Sequence, residues 1–188
     1  MTDMRLPRFG PEVLSASQRE LYDLIVGGPR QSEASFFSVA DAEGVLSGPY
    51  RAMLLHPGVG GPLERLGRAA RFESGIDDRL KEVAILTVAH LMSSDVEWAA
   101  HAGLAAAAGV PRVTIETLRT APVFEDVADR EVYDFVVAMI GSRVVPEPVY
   151  NAILDRHDQQ GLFALVVVAG YYQMIAHINN VFALEVGR

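Results

Sequence analysis

The sequence predicts an all-α protein, on three observations. Every periodic apolar segment repeats at helical spacing. No run alternates with the period of a strand: VVPEPVY (144–150) is broken by Pro146 and Pro148, and VVVAGYY (166–172) sits inside a helical pattern. Cap and stop residues punctuate the chain in helical order, Ser-x-x-Gln or Ser-x-x-Glu at starts and Gly followed by Pro at ends. Half of the residues are apolar, enough to fill a sizeable core.

Residues 1–14 carry Pro7, Gly10 and Pro11 and are expected to form an extended arm lying on another surface or another subunit. Ser15-x-x-Gln18 and Ser17-x-x-Glu20 both cap a first helix, whose stripe of Leu21, Leu24 and Ile25 ends at Gly27-Gly28-Pro29. Residues 30–44 read as a long loop with Phe36 and Phe37 turned inward. Two short helices follow, Pro49 and Pro62 each in a first turn, with His56-Pro57-Gly58 between them and the second ending near Phe72. Asp77 or Asp78 then caps RLKEVAILTVAHLM, apolar all round except at Glu82, Thr87 and His90, which predicts a buried helix. After a break at Ser93-Ser94-Asp95, DVEWAAHAGLAAAAG runs to Gly109-Val110-Pro111. A short helix at 115–119 and longer ones at about 124–140, 148–158 and 162–186 complete eight or nine helices in one domain spanning 1–188.

Composition excludes several functions. Sixteen Lys and Arg against 24 Asp and Glu give a net charge of −8, which repels a phosphate backbone, so nucleic acid is not an expected partner. With no cysteine there is no disulfide, thiolate metal site, thiol nucleophile or dithiol redox pair. The apolar run Leu162–Tyr172 falls short of the roughly 20 residues a bilayer span needs, and the N-terminus lacks an apolar signal core. A cytoplasmic protein without a membrane segment is therefore expected.

Chemistry must come from oxygen and nitrogen side chains. Glu82 stands among apolar neighbours, where an ionised carboxylate costs several kcal/mol unless partnered. Glu97 and His101, four apart on one helix, share a face and offer a proton donor and acceptor near neutral pH. Plainer readings stand beside these. Ser94 with Glu97 matches a capping box, Glu82 fits an i+3 partner of Arg79, and Trp98 is more often core than substrate platform. His90 and His177 read as buried structural histidines, and His56 and His157 as surface or turn positions. No spacing points to a metal site.

The stretch DDRLKEVAILTVAHLMSSDVEWAAHAGLAAAAGVP resembles the carboxymuconolactone decarboxylase family, which includes the alkylhydroperoxidase D-like proteins. In the peroxidase branch a Glu is followed after 12, 15 and 19 residues by Cys, Cys and His; here those positions are Glu82, Ser94, Glu97 and His101. The frame is kept and both sulfurs are missing, so dithiol peroxide chemistry is excluded. The Glu-Trp pair at 97–98 is similar to the decarboxylase-type branch, and the likeness extends to the N-terminal arm, the first helix, GPYRAMLLHPGV and the last helix.

The resemblance implies the alkylhydroperoxidase D-like helical fold, a trimer or hexamer, and a cofactor-free lyase of aromatic-acid breakdown that removes carbon dioxide from a small acidic unsaturated lactone. It assigns His101 as proton donor, Glu97 as its partner and Glu82 as a second acid–base group. Ser94, Trp98, Arg71 and Arg79 are candidates for substrate binding, the arginines for the substrate carboxylate. Two other classes stay open: a non-catalytic metabolite-binding or assembly protein of the same fold and, ranked last, an antioxidant protein without the redox cysteines.

Overall fold

The computed structural model describes residues 5–33 and 36–184. Among the described residues eight α-helices are present: α1 (Ala16–Val26), α2 (Gly48–Met53), α3 (Pro57–Arg68), α4 (Asp78–Leu91), α5 (Asp95–Ala107), α6 (Arg112–Thr117), α7 (Val127–Gly141) and α8 (Glu147–Val181). The described residues contain no strand, only an isolated bridge between Ala40 and Leu46.

Local chemistry explains the boundaries. Ser15 forms the reciprocal capping box of α1, its Oγ accepting from Gln18 N while Gln18 Oε1 accepts from Ser15 N. Asp77 caps α4 by accepting from the amides of Arg79 and Leu80. Pro57 occupies the first position of α3, whereas Pro62 lies inside the helix rather than in a first turn as expected. From Arg68 the chain continues as a π-helical turn, Ala69–Glu73, so the element reaches Phe72 with a change of pitch. Asp158, at φ 58°, kinks α8, and its Oδ1 accepts from the amides of Gln160 and Gly161. The two helices expected on either side of residue 158 are thus present within α8, meeting at this non-helical residue.

Ten of the fourteen residues of α4 are buried, and α5, α7 and α8 pack around it. Val83, Ile85, Leu86, Phe135, Val168 and Ile175 are among the side chains that fill this interior. Area burial on this scale is the main driving term for assembling the helices.

The arm lies on its own chain: Leu6 packs with Val96 and Leu184, and Arg5 N donates to Phe182 O at 3.3 Å. Residues 1–4 and 185–188, the expected end of the last helix among them, are outside the described residues. Three expectations need correction. Phe36 is 44% exposed, although Phe37 is half-buried against Tyr50. His177 is exposed and His90 only half-buried, because they sit on outer faces of otherwise apolar helices. Counted across its kink, α8 is also long and apolar enough to cross a membrane by length and composition, which the shorter uninterrupted run did not suggest; 39% of its most apolar stretch is buried in the protein, where it packs on α4 and α7.

Candidate active site

Glu82, in the middle of α4, has no exposed surface. Two partners answer its charge. Arg71 Nη1 lies 2.5 Å from Oε1 in an ion pair not aligned as a hydrogen bond, and His101 Nδ1 lies 2.9 Å from Oε2. The π-helical turn presents Arg71 there, a local change of pitch often found at functional sites. Buried Lys81 braces that turn by donating to Arg71 O at 2.7 Å. Arg71 is spent on a second carboxylate as well: its Nε and Nη2 donate to Glu33 Oε1 at 2.9 and 2.7 Å.

A carboxylate already paired with arginine is an acceptor, so His101 presents Nδ1–H to Glu82 and turns Nε2 the other way. The ring of Tyr172 packs edge-on against the imidazole, centroids 5.0 Å apart, and fixes its plane. Nε2 faces Glu97 Oε2 at 3.8 Å, too long for a direct hydrogen bond and short enough for one bridging atom.

Glu97 stands in the first turn of α5. Ser94 Oγ accepts from its amide at 3.5 Å, but the Glu97 side chain does not return to the amide of Ser94, which donates instead to Ala89 O. Capping therefore explains Ser94 and leaves Glu97 unexplained. Its Oε1 accepts from Asn179 Nδ2 of α8 at 2.7 Å. Burial pushes the Glu97 carboxyl up, against the opposing pull of His101 and Asn179, and Asn179 occupies Oε1 so that Oε2 is the oxygen turned to His101.

Glu97 and His101 line a cavity of ≈ 40 Å³ together with Arg30, Arg71, Tyr50 and Tyr172, with Phe37 closing it from the loop. By the usual measure of about 10–15 Å³ per water, it has room for a few waters. Burial pushes the Tyr50 hydroxyl up to about 12, so it stays a neutral donor.

The candidates read from sequence fall into two groups. Glu82, Glu97, His101 and Arg71 meet, although Glu82 stands behind His101 and Arg71 rather than on the cavity wall. Ser94, Trp98 and Arg79 do not join them. Ser94 is a buried cap. Trp98, one residue and so about 100° of helix from Glu97, lies under the Arg119 guanidinium at 4.1 Å. Arg79 pairs with Asp126 and Asp129 at 3.1 and 2.7 Å, which also removes it as the partner of Glu82. Arg30, Glu33, Tyr50, Tyr172 and Asn179 were not foreseen, since they come from segments far apart in the chain. Among the described residues no group of three or more His, Asp or Glu side chains is arranged to hold a metal ion.

The raised carboxyl of Glu97 predicts a pH dependence. The folded state binds its proton more tightly than the unfolded state, so this term is fully favourable below the unfolded value of about 4.3 and is lost as pH rises through the higher folded value. Glu97→Gln removes it and keeps an oxygen to accept from Asn179. Urea midpoints between pH 4 and 8 should show the variant gaining on the parent protein as pH rises; parallel curves would contradict the assignment.

Residues 57–133 match the Carboxymuconolactone decarboxylase family. That segment contains Arg71, Glu82, Glu97 and His101 and leaves Arg30, Glu33, Tyr172 and Asn179 outside. No curated protein and no solved structure matches the chain.

Proposed function

We propose, from the match of residues 57–133 to the carboxymuconolactone decarboxylase family, that this protein is a cofactor-free lyase that decarboxylates a small carboxylated unsaturated lactone or a related ring acid. The observation that carries the reading is the pairing of Glu97 Oε2 and His101 Nε2, 3.8 Å apart on one cavity, with Glu82 holding the far side of the imidazole. A buried acid opposite an oriented base is the arrangement that proton transfer requires.

In the reaction the bond from the ring carbon to the carboxylate breaks and carbon dioxide leaves. The electron pair passes into the conjugated lactone carbonyl, giving a dienolate, and the ring carbon then takes up one proton. Glu97 is assigned to deliver that proton, because burial raises its carboxyl and its Oε2 faces the cavity across from His101. His101 Nε2 relays the replacement proton from water to Glu97 Oε2. The neutral hydroxyls of Tyr50 and Tyr172, on the same cavity, are the donors at hand for the enolate oxygen. The roles of Glu97 and His101 are thus exchanged relative to the resemblance, since Glu82 already orients His101.

A ring acid is larger than the ≈ 40 Å³ cavity, so its entry requires the lining to give way. Loss of the ultraviolet absorbance of an unsaturated lactone acid together with release of carbon dioxide tests the reading; saturable binding without turnover across a panel of such acids would replace it with the binding-protein alternative.

A homo-oligomer, a trimer or hexamer, accompanies this proposal. Exposed Phe163, Val166, Met174 and Val181 follow one another at intervals of three, eight and seven residues along α8, a stripe suited to a second copy. Light scattering should give a mass several times 20.4 kDa; a monomer at micromolar concentration would contradict it.

A further inference from the structure

Two arginines line the cavity, and their donors are differently committed. Arg71 has Nη1 in an ion pair with Glu82 and both Nε and Nη2 bonded to Glu33, so its charge is already met by two carboxylates. Arg30, from the turn that follows α1, is held otherwise. Among the described residues its one carboxylate partner is Glu64, reached by a single bond from Nη1 to Oε1 at 3.2 Å. Glu64 Oε2 is buried without a hydrogen-bond partner, so the pair is not the two-point fork that arginine and carboxylate usually form. The rings of Tyr50 and Phe72, with the guanidinium carbon 5.4 and 5.8 Å from their centroids, hold it from the sides. Its burial, 8% exposed, makes it a costly charge to keep beside a cavity for packing alone.

We propose that Arg30 is the anion-binding residue of this cavity and that it selects monocarboxylates, gripping the ligand carboxylate with the guanidinium edge that Glu64 leaves free while the rest of the ligand lies toward Glu97 and His101. The assignment rests on the reading of the cavity as the place where a ring acid binds. It moves the carboxylate contact from Arg71 and Arg79, the candidates of the sequence, to a residue outside the segment that matches the family. A single free guanidinium edge also argues for one carboxylate rather than two, since four glutamates, Glu33, Glu64, Glu82 and Glu97, surround the two arginines. The geometry requires arginine, because lysine presents a point charge and no planar fork.

Binding of 2-furoate, a planar five-membered ring acid, is measured by calorimetry alongside its neutral amide, 2-furamide. The full-length protein should bind 2-furoate saturably and in preference to the amide. The double variant Arg30→Gln/Glu64→Gln, which removes both charges together and so leaves neither buried alone, should lose at least tenfold in 2-furoate affinity with no change for the amide. Equal 2-furoate affinity in the double variant, or no preference for the acid in the parent protein, would overturn the proposal. Should the double variant fail to fold, Arg30→Lys takes its place, with a loss of at least threefold expected and an unchanged affinity overturning it. Binding is read here without turnover. Arg30-dependent affinity in a protein that decarboxylates nothing would sink the enzyme reading and keep this one, and turnover indifferent to Arg30 would do the reverse.

Discussion

Replacing His101 with alanine is expected to lower turnover of an unsaturated lactone acid by about 10²–10⁴-fold, the usual worth of a positioned proton-transfer group. The side chain touches Glu82, lies 3.8 Å from Glu97 and packs against Tyr172, so its loss removes the relay and leaves the helices in place. Circular dichroism should report unchanged helix content, and added imidazole, which fits the space vacated, should restore part of the rate. Glu97→Gln should fall by a similar factor without imidazole rescue, because its amide keeps the contact with Asn179 and has no acidic proton to give. A His101→Ala variant with full activity would remove His101 from the mechanism.

Glu82→Gln should have the largest effect on stability, about 3–5 kcal/mol by urea unfolding, the cost of breaking a buried ion pair from one side. The pair is Glu82 with Arg71, and its disruption leaves Arg71, 7% exposed, with only Glu33 to balance it while the imidazole Nδ1 proton exchanges a carboxylate acceptor for a weaker amide one. Glu33→Gln should cost less, since Glu33 is nearer solvent. A loss below about 1 kcal/mol for Glu82→Gln would show that the charge of Arg71 is met elsewhere.

The parts of this fold legible in the sequence are those set by local chemistry. Ser15, Asp77 and Ser94 cap helices where their spacing to the following residues says they should, and α4 is buried because its apolar residues run around the whole helix. Periodicity also placed Glu97 and His101 on one face. Pro62 inside α3 and the π turn after Arg68 were not legible, because tertiary packing rather than local propensity sets them. His177 misled for a related reason: an apolar helix reads as buried on every face, while α8 keeps one face outward. At the site, the family spacing brought out Glu82, Ser94, Glu97 and His101, but spacing alone does not separate a cap from a cavity wall. Asn179, 82 residues from its partner Glu97, and Arg30, in a segment of weak pattern, carry no local signal at all.

The central claim is that Glu97 and His101 move protons to and from the ring carbon next to a conjugated lactone system. Its most direct measurement is proton NMR of a simple unsaturated lactone in D₂O with the protein present, following deuterium entry at the ring carbon next to the conjugated system. Deuterium should enter well above the buffer rate with the parent protein and fall to the buffer rate with His101→Ala and Glu97→Gln. Exchange at the buffer rate with the parent protein, or undiminished exchange in both variants, would contradict it.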